Sequence, residues 1–145
     1  MRLEKGCRFW GPDINTAFNL FEARLMRDSS SGRLTPIKRS EFIGREALLR
    51  IRESGVPRRL CCLTFDEQGT VVMGNEPILG DDRVVRYVTS SDYGYSVGAG
   101  IAYGYLPASH VQVGTRVEIE YLGRRYPATV AAEPLYDPDN LRLRS

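Results

Sequence analysis

Glu4 is a lone carboxylate in a basic and aromatic stretch, Arg2-Leu3-Glu4-Lys5 followed by Arg8-Phe9-Trp10. A carboxylate there can accept two parallel N–H bonds from a planar amino-heterocycle, much as it does from a guanidinium, with the aromatic neighbours as flat walls. The same residues also suit a surface ion pair, and their spacing leaves both readings open. Other acids come as pairs, Asp66-Glu67 and Asp81-Asp82, in turn-forming runs where solvated carboxylates are the rule. His110 is the single histidine, in the loop-like run PASHVQVGT. Any Ser-His-Asp relay would have to pass through it, and no G-x-S-x-G supports one, so it reads as a solvated loop residue. Cys7, Cys61 and Cys62 are odd in number, which makes no disulfide framework. Adjacent strand residues point to opposite faces, so Cys61 and Cys62 do not share a metal ion. The cysteines read as buried small apolar residues in a reducing compartment. No catalytic residue and no metal-ligand set emerges.

Two further groups tempt a nucleotide reading. Gly94, Gly98, Gly100 and Gly104 lack the G-x-G-x-x-G spacing, and no P-loop lysine follows, so strand bends and turns account for them. Tyr87, Tyr93, Tyr95, Tyr103 and Tyr105 could stack single-stranded bases. Rim and core aromatics fit better, because twenty basic residues against eighteen acidic ones leave a net charge of only +2. That balance argues against nucleic acid or an anionic membrane as the main partner. No apolar run approaches the roughly 20 residues of a membrane span. The start, MRLEKGCRFWG, has no apolar h-region. The expectation is a chain in the cytoplasm, or the mitochondrial matrix if eukaryotic, and not secreted.

The elements that must carry these residues are legible from hydrophobic period. Phe42 to Gly55 reads as a helix packed on a sheet: Ile43, Ala47, Leu48 and Ile51 share a face, Gly44 can begin it and Gly55 stops it. Before it, Gly11-Pro12-Asp13 is a turn from which Asp13 could cap a helix over Asn15 to Met26, with Phe18, Phe21 and Leu25 on one face. The segment 1–34 is too short to bury its aromatics alone and should lean on something else. From Arg59 the period becomes two. Strands are expected at Leu60–Phe65, Val71–Met73, Pro77–Leu79, Arg83–Thr89, Ile101–Leu106, Arg116–Tyr121 and Arg125–Ala132, the last two a hairpin through Leu122-Gly123-Arg124. Short strands between Gly-rich turns suggest closure, which removes exposed edges. The expected fold is α+β: a short N-terminal α-containing segment and one linking helix, then a small antiparallel β-barrel.

RLEKGCRFWGPDIN, then KRSEFIGREALL, then Arg58-Arg59-Leu60, followed by Gly74-Asn75-Glu76-Pro77-Ile78, VTSSDYGYS, Ile101-Ala102-Tyr103-Gly104-Tyr105 and Tyr136-Asp137-Pro138, resemble in order the closing part of the glycine-cleavage T-protein (aminomethyltransferase) family. The RLEKG and FWG wording looks most like the T-protein-like end of FAD-linked sarcosine and dimethylglycine dehydrogenases. The resemblance implies a tail of a folate-binding lobe over 1–39, and a linking helix plus C-terminal barrel over 40–145. It implies tetrahydrofolate as cofactor, with Glu4 on the pterin, Arg142 or Arg144 approaching the folate, and Arg33 as a further contact. FAD is implied only in a longer parent. The family's catalytic Asp lies upstream of the RLE motif, so this stretch is expected to be non-catalytic alone. In the intact protein the partners would be folate and an amine-derived one-carbon donor. The alternative is a non-catalytic lid or interaction module, which docks on a missing N-terminal domain or self-associates. One departure stands out: Asn19-Leu20-Phe21-Glu22-Ala23-Arg24-Leu25 occupies the place of the family's T-P-x-E-A-G-L. Arginine lacks the backbone freedom of that glycine, so the local fold is expected to change there.

Overall fold

A computed structural model describes residues 2–26 and 41–144. Arg33 lies outside the described residues, as does the loop Asp28 to Gly32. The elements are α1 (Arg45–Ser54), β1 (Arg58–Phe65), β2 (Pro77–Gly80), β3 (Arg83–Gly94), β4 (Ala99–Pro107), β5 (Arg116–Tyr121), β6 (Arg124–Ala131) and α2 (Leu141–Arg144). The six strands form a closed antiparallel barrel in the order β1-β4-β3-β2-β5-β6, sealed by β1 against β6.

The two-residue period sorts side chains between two cores. Cys61, Leu63 and Phe65 of β1, with Ala102 and Leu106 of β4, fill the barrel interior beside Ile78, Val88, Val117, Ile119, Ala128 and Val130. Their alternates, Leu60, Cys62, Ile101, Tyr103 and Tyr105, point outward and are buried under Leu3, Phe18 and Leu135. The N-terminal segment therefore leans on the outer face of β1 and β4, and that pair of strands is buried on both sides. The segment also covers a strand edge. β6 pairs with β1 only from Cys62 onward, and beyond it the Leu60 amide donates to Glu22 O at 2.8 Å.

Several expectations are corrected. Asn15–Met26 is a succession of turns, not a helix. A helix start is present: Asn19 Oδ1 accepts from the Phe21 and Glu22 amides, and Glu22 Oε2 accepts from the Asn19 amide, each at 3.0 Å. The chain leaves after one turn because Arg24 is left-handed, at φ 54°. Arginine thus takes the conformation for which glycine is favoured, and its guanidinium reaches Glu133 Oε1 at 3.3 Å. Val71–Met73 forms no strand, although Val72 is buried. β3 runs on to Gly94, beyond the expected end at Thr89. α1 begins after Gly44 as expected, but none of its residues is buried, so it is not a helix packed on the sheet. Cys7 is exposed, whereas Cys61 and Cys62 are buried free thiols.

Candidate functional site

The barrel's outer face brings the amino-terminal turn against the carboxy-terminal tail. Glu4 is 2% exposed. Its Oε1 accepts the Ser96 amide at 2.6 Å, from the turn joining β3 to β4. Gly94 opens that turn because a Cβ there would meet Ile101 Cδ1 at 2.6 Å and Glu4 Cγ at 3.1 Å. Burial works to raise the Glu4 pKa. The Ser96 amide leads the opposing effects and the net shift is downward, so the group is a carboxylate at neutral pH. Its main chain is tied to the tail: the Tyr136 amide donates to Glu4 O at 3.0 Å. Next door, Lys5 Nζ donates to Asp137 O at 2.6 Å and lies 3.3 Å from Asp137 Oδ2. Asp137 Oδ1 in turn accepts the Leu141 amide at 2.7 Å and starts α2. Arg142 then folds back, donating to the Tyr136 hydroxyl at 2.9 Å with its guanidinium carbon 5.5 Å from that ring's centroid. Glu4, Tyr136 and Arg142 are thus consecutive links of one connected set. Arg144 is exposed at the end of α2, and no described residue bonds its side chain.

Two buried carboxylates that the spacing did not single out as site residues organise this face. Asp13 is 1% exposed. Its Oδ1 accepts the Thr89 and Ser90 hydroxyls, each at 2.7 Å. Neighbouring strand residues normally face opposite ways; the register shift between Val88 and Ser90 in β3 lets both reach one oxygen. Oδ2 accepts the Phe9 amide at 2.9 Å and Arg2 at 2.6 Å. Burial works to raise the Asp13 pKa, and these bonds overcome it, Ser90 and Thr89 foremost, so the carboxyl is held below its usual range. Gly11-Pro12-Asp13 does announce the turn, but Asp13 braces it against the barrel instead of capping a helix. Glu133 pairs with Arg8, Oε2 to Nη1 at 2.8 Å and Oε1 to Nη2 at 3.0 Å, and accepts the Tyr103 hydroxyl at 3.1 Å. Nothing in the sequence pattern marks Glu133, because Arg8 and Tyr103 come to it only through the fold.

The remaining candidates resolve plainly. Burial pushes the Cys61 and Cys62 thiols up to about 11 and about 12, which makes them inert packing residues. Tyr103 and Tyr105 are core, with their hydroxyls donated to Leu3 O at 3.1 Å and Asp13 O at 2.7 Å, so they belong to no stacking platform. His110 is not a solvated loop residue: it sits on a 3-10 turn, Ala108–His110, with its side chain only 15% exposed. Its ring lies 2.8 Å from Ser109 Oγ and 3.6 Å from Asp81 Oδ2. The serine precedes the histidine in sequence and the aspartate is a solvated turn residue, so the row has the residue types of a relay without its architecture. No described group of His, Cys, Asp and Glu could hold a metal ion.

Known proteins align with this arrangement along nearly its whole length. Mouse mitochondrial dimethylglycine dehydrogenase is 39% identical over 144 residues, covering 99% of this chain and 16% of that protein. An aminomethyltransferase of Prochlorococcus marinus is 34% identical over 137 residues, 94% of this chain and 35% of that protein. The crystal structure of the glycine cleavage system aminomethyltransferase T from Bartonella henselae superposes with a TM-score of 0.80 at 22% identity, over 94% of this chain and 37% of that one, and so shares the fold. The chain thus spans well under half the length of these relatives. The family model for the glycine cleavage T-protein C-terminal barrel domain matches residues 58–137, which is β1 through the segment that holds Glu133, Tyr136 and Asp137. With more than half of its residues in that match, the chain belongs to the glycine cleavage T-protein C-terminal barrel family.

Proposed function

We propose that this chain is the C-terminal module of a tetrahydrofolate-dependent aminomethyltransferase-like protein, of the sarcosine/dimethylglycine dehydrogenase or T-protein type, and supplies one wall of its folate site. The observation that supports this most is the buried, ionised Glu4, linked through Tyr136 to Arg142. A carboxylate held in place by the Ser96 amide is the residue type that recognises the N–H edge of an amino-heterocycle. Arg142, stacked on Tyr136, is placed to meet the anionic end of the same ligand, with Arg144 and Arg33 as further cationic contacts. Tetrahydrofolate, when bound, takes up the one-carbon unit of an amine-derived donor. This chain's residues orient it and screen it from water. On this reading 1–39 is the tail of the folate lobe and 40–145 the linking helix with the barrel. FAD, in a dehydrogenase-type parent, belongs to another part, and the setting is the cytoplasm or the mitochondrial matrix.

The test is an NMR titration of this chain with 5-formyltetrahydrofolate. Weak, saturable shifts centred on Glu4, Ser96 and Tyr136, abolished by Glu4→Ala, are expected. Absence of shifts there at millimolar ligand, or affinity unchanged in Glu4→Ala, overturns the assignment.

A second reading has a separate observation behind it. The helix α1 buries none of its residues, and Phe42 and Ile43 before it are exposed. A module that docks on another chain, or on a second copy, would cover that surface.

A further inference from the structure

Between the N-terminal loop and β3 lies a cavity of about 320 Å³ that shares no lining residue with Glu4, Tyr136 or Arg142. The volume is at the lower end of small-molecule sites, roughly 300 Å³ and upward. One wall is aromatic and rigid. Phe18 stacks on Tyr105 at 3.7 Å between ring centroids and 9° between planes. On its other side Arg58 lies 4.9 Å from the Phe18 centroid and is itself pinned to Glu22 at 2.7 Å. Tyr87 adds a third ring, from β3 and 55% exposed.

The polar lining divides into groups already used and groups left over. Thr89 and the Tyr105 hydroxyl are spent on Asp13. Asn15 serves its own loop, its amide donating to Gly11 O and its carbonyl accepting from the Ala17 amide, both at 2.9 Å. Arg86 is different. It is half-buried in β3, and no described residue gives its guanidinium a hydrogen bond or an ion pair. The side-chain amide of Asn75, which also lines the cavity, is likewise without a described partner. Arginine stays protonated, and its planar fork matches a carboxylate's two oxygens.

We infer that this cavity is a binding site for a small aromatic carboxylate. The ring lies against Tyr87, beside the edge of the Phe18–Tyr105 stack, and the carboxylate takes the Arg86 fork. The inference does not rest on the folate assignment, because Glu4 plays no part in it.

Benzoate is the probe, followed by amide NMR on the whole chain, with benzamide and cyclohexanecarboxylate as its neutral and non-aromatic counterparts. Saturable benzoate shifts at Arg86, Tyr87 and Thr89 are expected, with both counterparts weaker. A charge-assisted bond of about 1.5–3 kcal/mol makes benzamide about tenfold weaker or more. Arg86→Gln should weaken benzoate by a similar factor, leave benzamide unchanged and leave the urea midpoint near that of the parent chain. Glu4→Gln should leave benzoate binding intact, which separates this site from the folate wall. Equal affinity for benzoate and benzamide, cyclohexanecarboxylate binding as well as benzoate, indifference to Arg86→Gln, or no saturable shift at these residues overturns the inference.

Discussion

Asp13 shows how much one buried carboxylate can carry. It gathers the Phe9 amide and Arg2 from its own segment and the Thr89 and Ser90 hydroxyls from β3, and so holds loop and barrel together. Because its folded pKa lies below the ordinary aspartate value, its contribution is fully present above about pH 4 and is lost as pH falls through the folded value. Asp13→Asn should therefore cost about 2–3 kcal/mol at neutral pH, and the gap from the parent chain should narrow as pH falls below about 4. Urea midpoints from pH 7 down to pH 3 check it; a gap that stays constant contradicts the assignment. Only part of this was legible beforehand. Gly11-Pro12-Asp13 gives away the turn, but Thr89 and Ser90 come to it from the far half of the chain through a bulge, and no local period encodes a bulge. Arg24 carries the same lesson in reverse. Its residue type argues against a left-handed backbone, and a tertiary partner, Glu133, helps to hold it there.

At the scale of elements, alternation of apolar and polar residues located β1, β2, β5 and β6 to within a residue or two. It cut β3 short, since Ser90 to Gly94 carries small and polar residues whose strand pairing comes from β4. It also produced a helix over Asn15–Met26, because Phe18 and Phe21 recur as a helical face would, yet bury themselves on the barrel through turns. The glycines of β4 read as strand bends and turns; the structure shows Gly100 and Gly104 inside a strand, at places of close approach. A Cβ on Gly100 would stand 1.9 Å from the Thr70 carbonyl oxygen, a backbone atom that can move only by shifting its loop. Gly100→Ala should lower stability by about 2 kcal/mol or more. Gly123→Ala, at φ 74° in the β5–β6 turn with open space around it, should cost only about 1 kcal/mol. Chemical denaturation of the two variants side by side decides, and equal losses would contradict the crowding at Gly100.

Over the whole molecule, two cores share the β1–β4 pair, and the outer one depends on the N-terminal segment staying docked. The Arg8–Glu133 pair fastens it, both side chains under a tenth exposed. Glu133→Ala strands a buried guanidinium and should cost about 3–5 kcal/mol. Arg8→Met with Glu133→Leu, which removes both charges, should recover most of that. Denaturation midpoints of the single and double variants test it, and a double variant no better than the single refutes the cause. The barrel was legible from strand spacing and turn chemistry; the outer core was foreseen only as a need of the N-terminal aromatics for cover.

The seam between β1 and β6 has a consequence for biosynthesis. β1 leaves the ribosome ahead of the other five barrel strands, yet the flank from Cys62 to Phe65 finds its mates only at Ala128 to Ala131. At roughly 5–20 residues per second, translation leaves that flank bare for seconds. Its sequence there, Cys-Leu-Thr-Phe, is an apolar, unpaired strand edge of the kind that neighbouring nascent chains pair with until the last strand arrives.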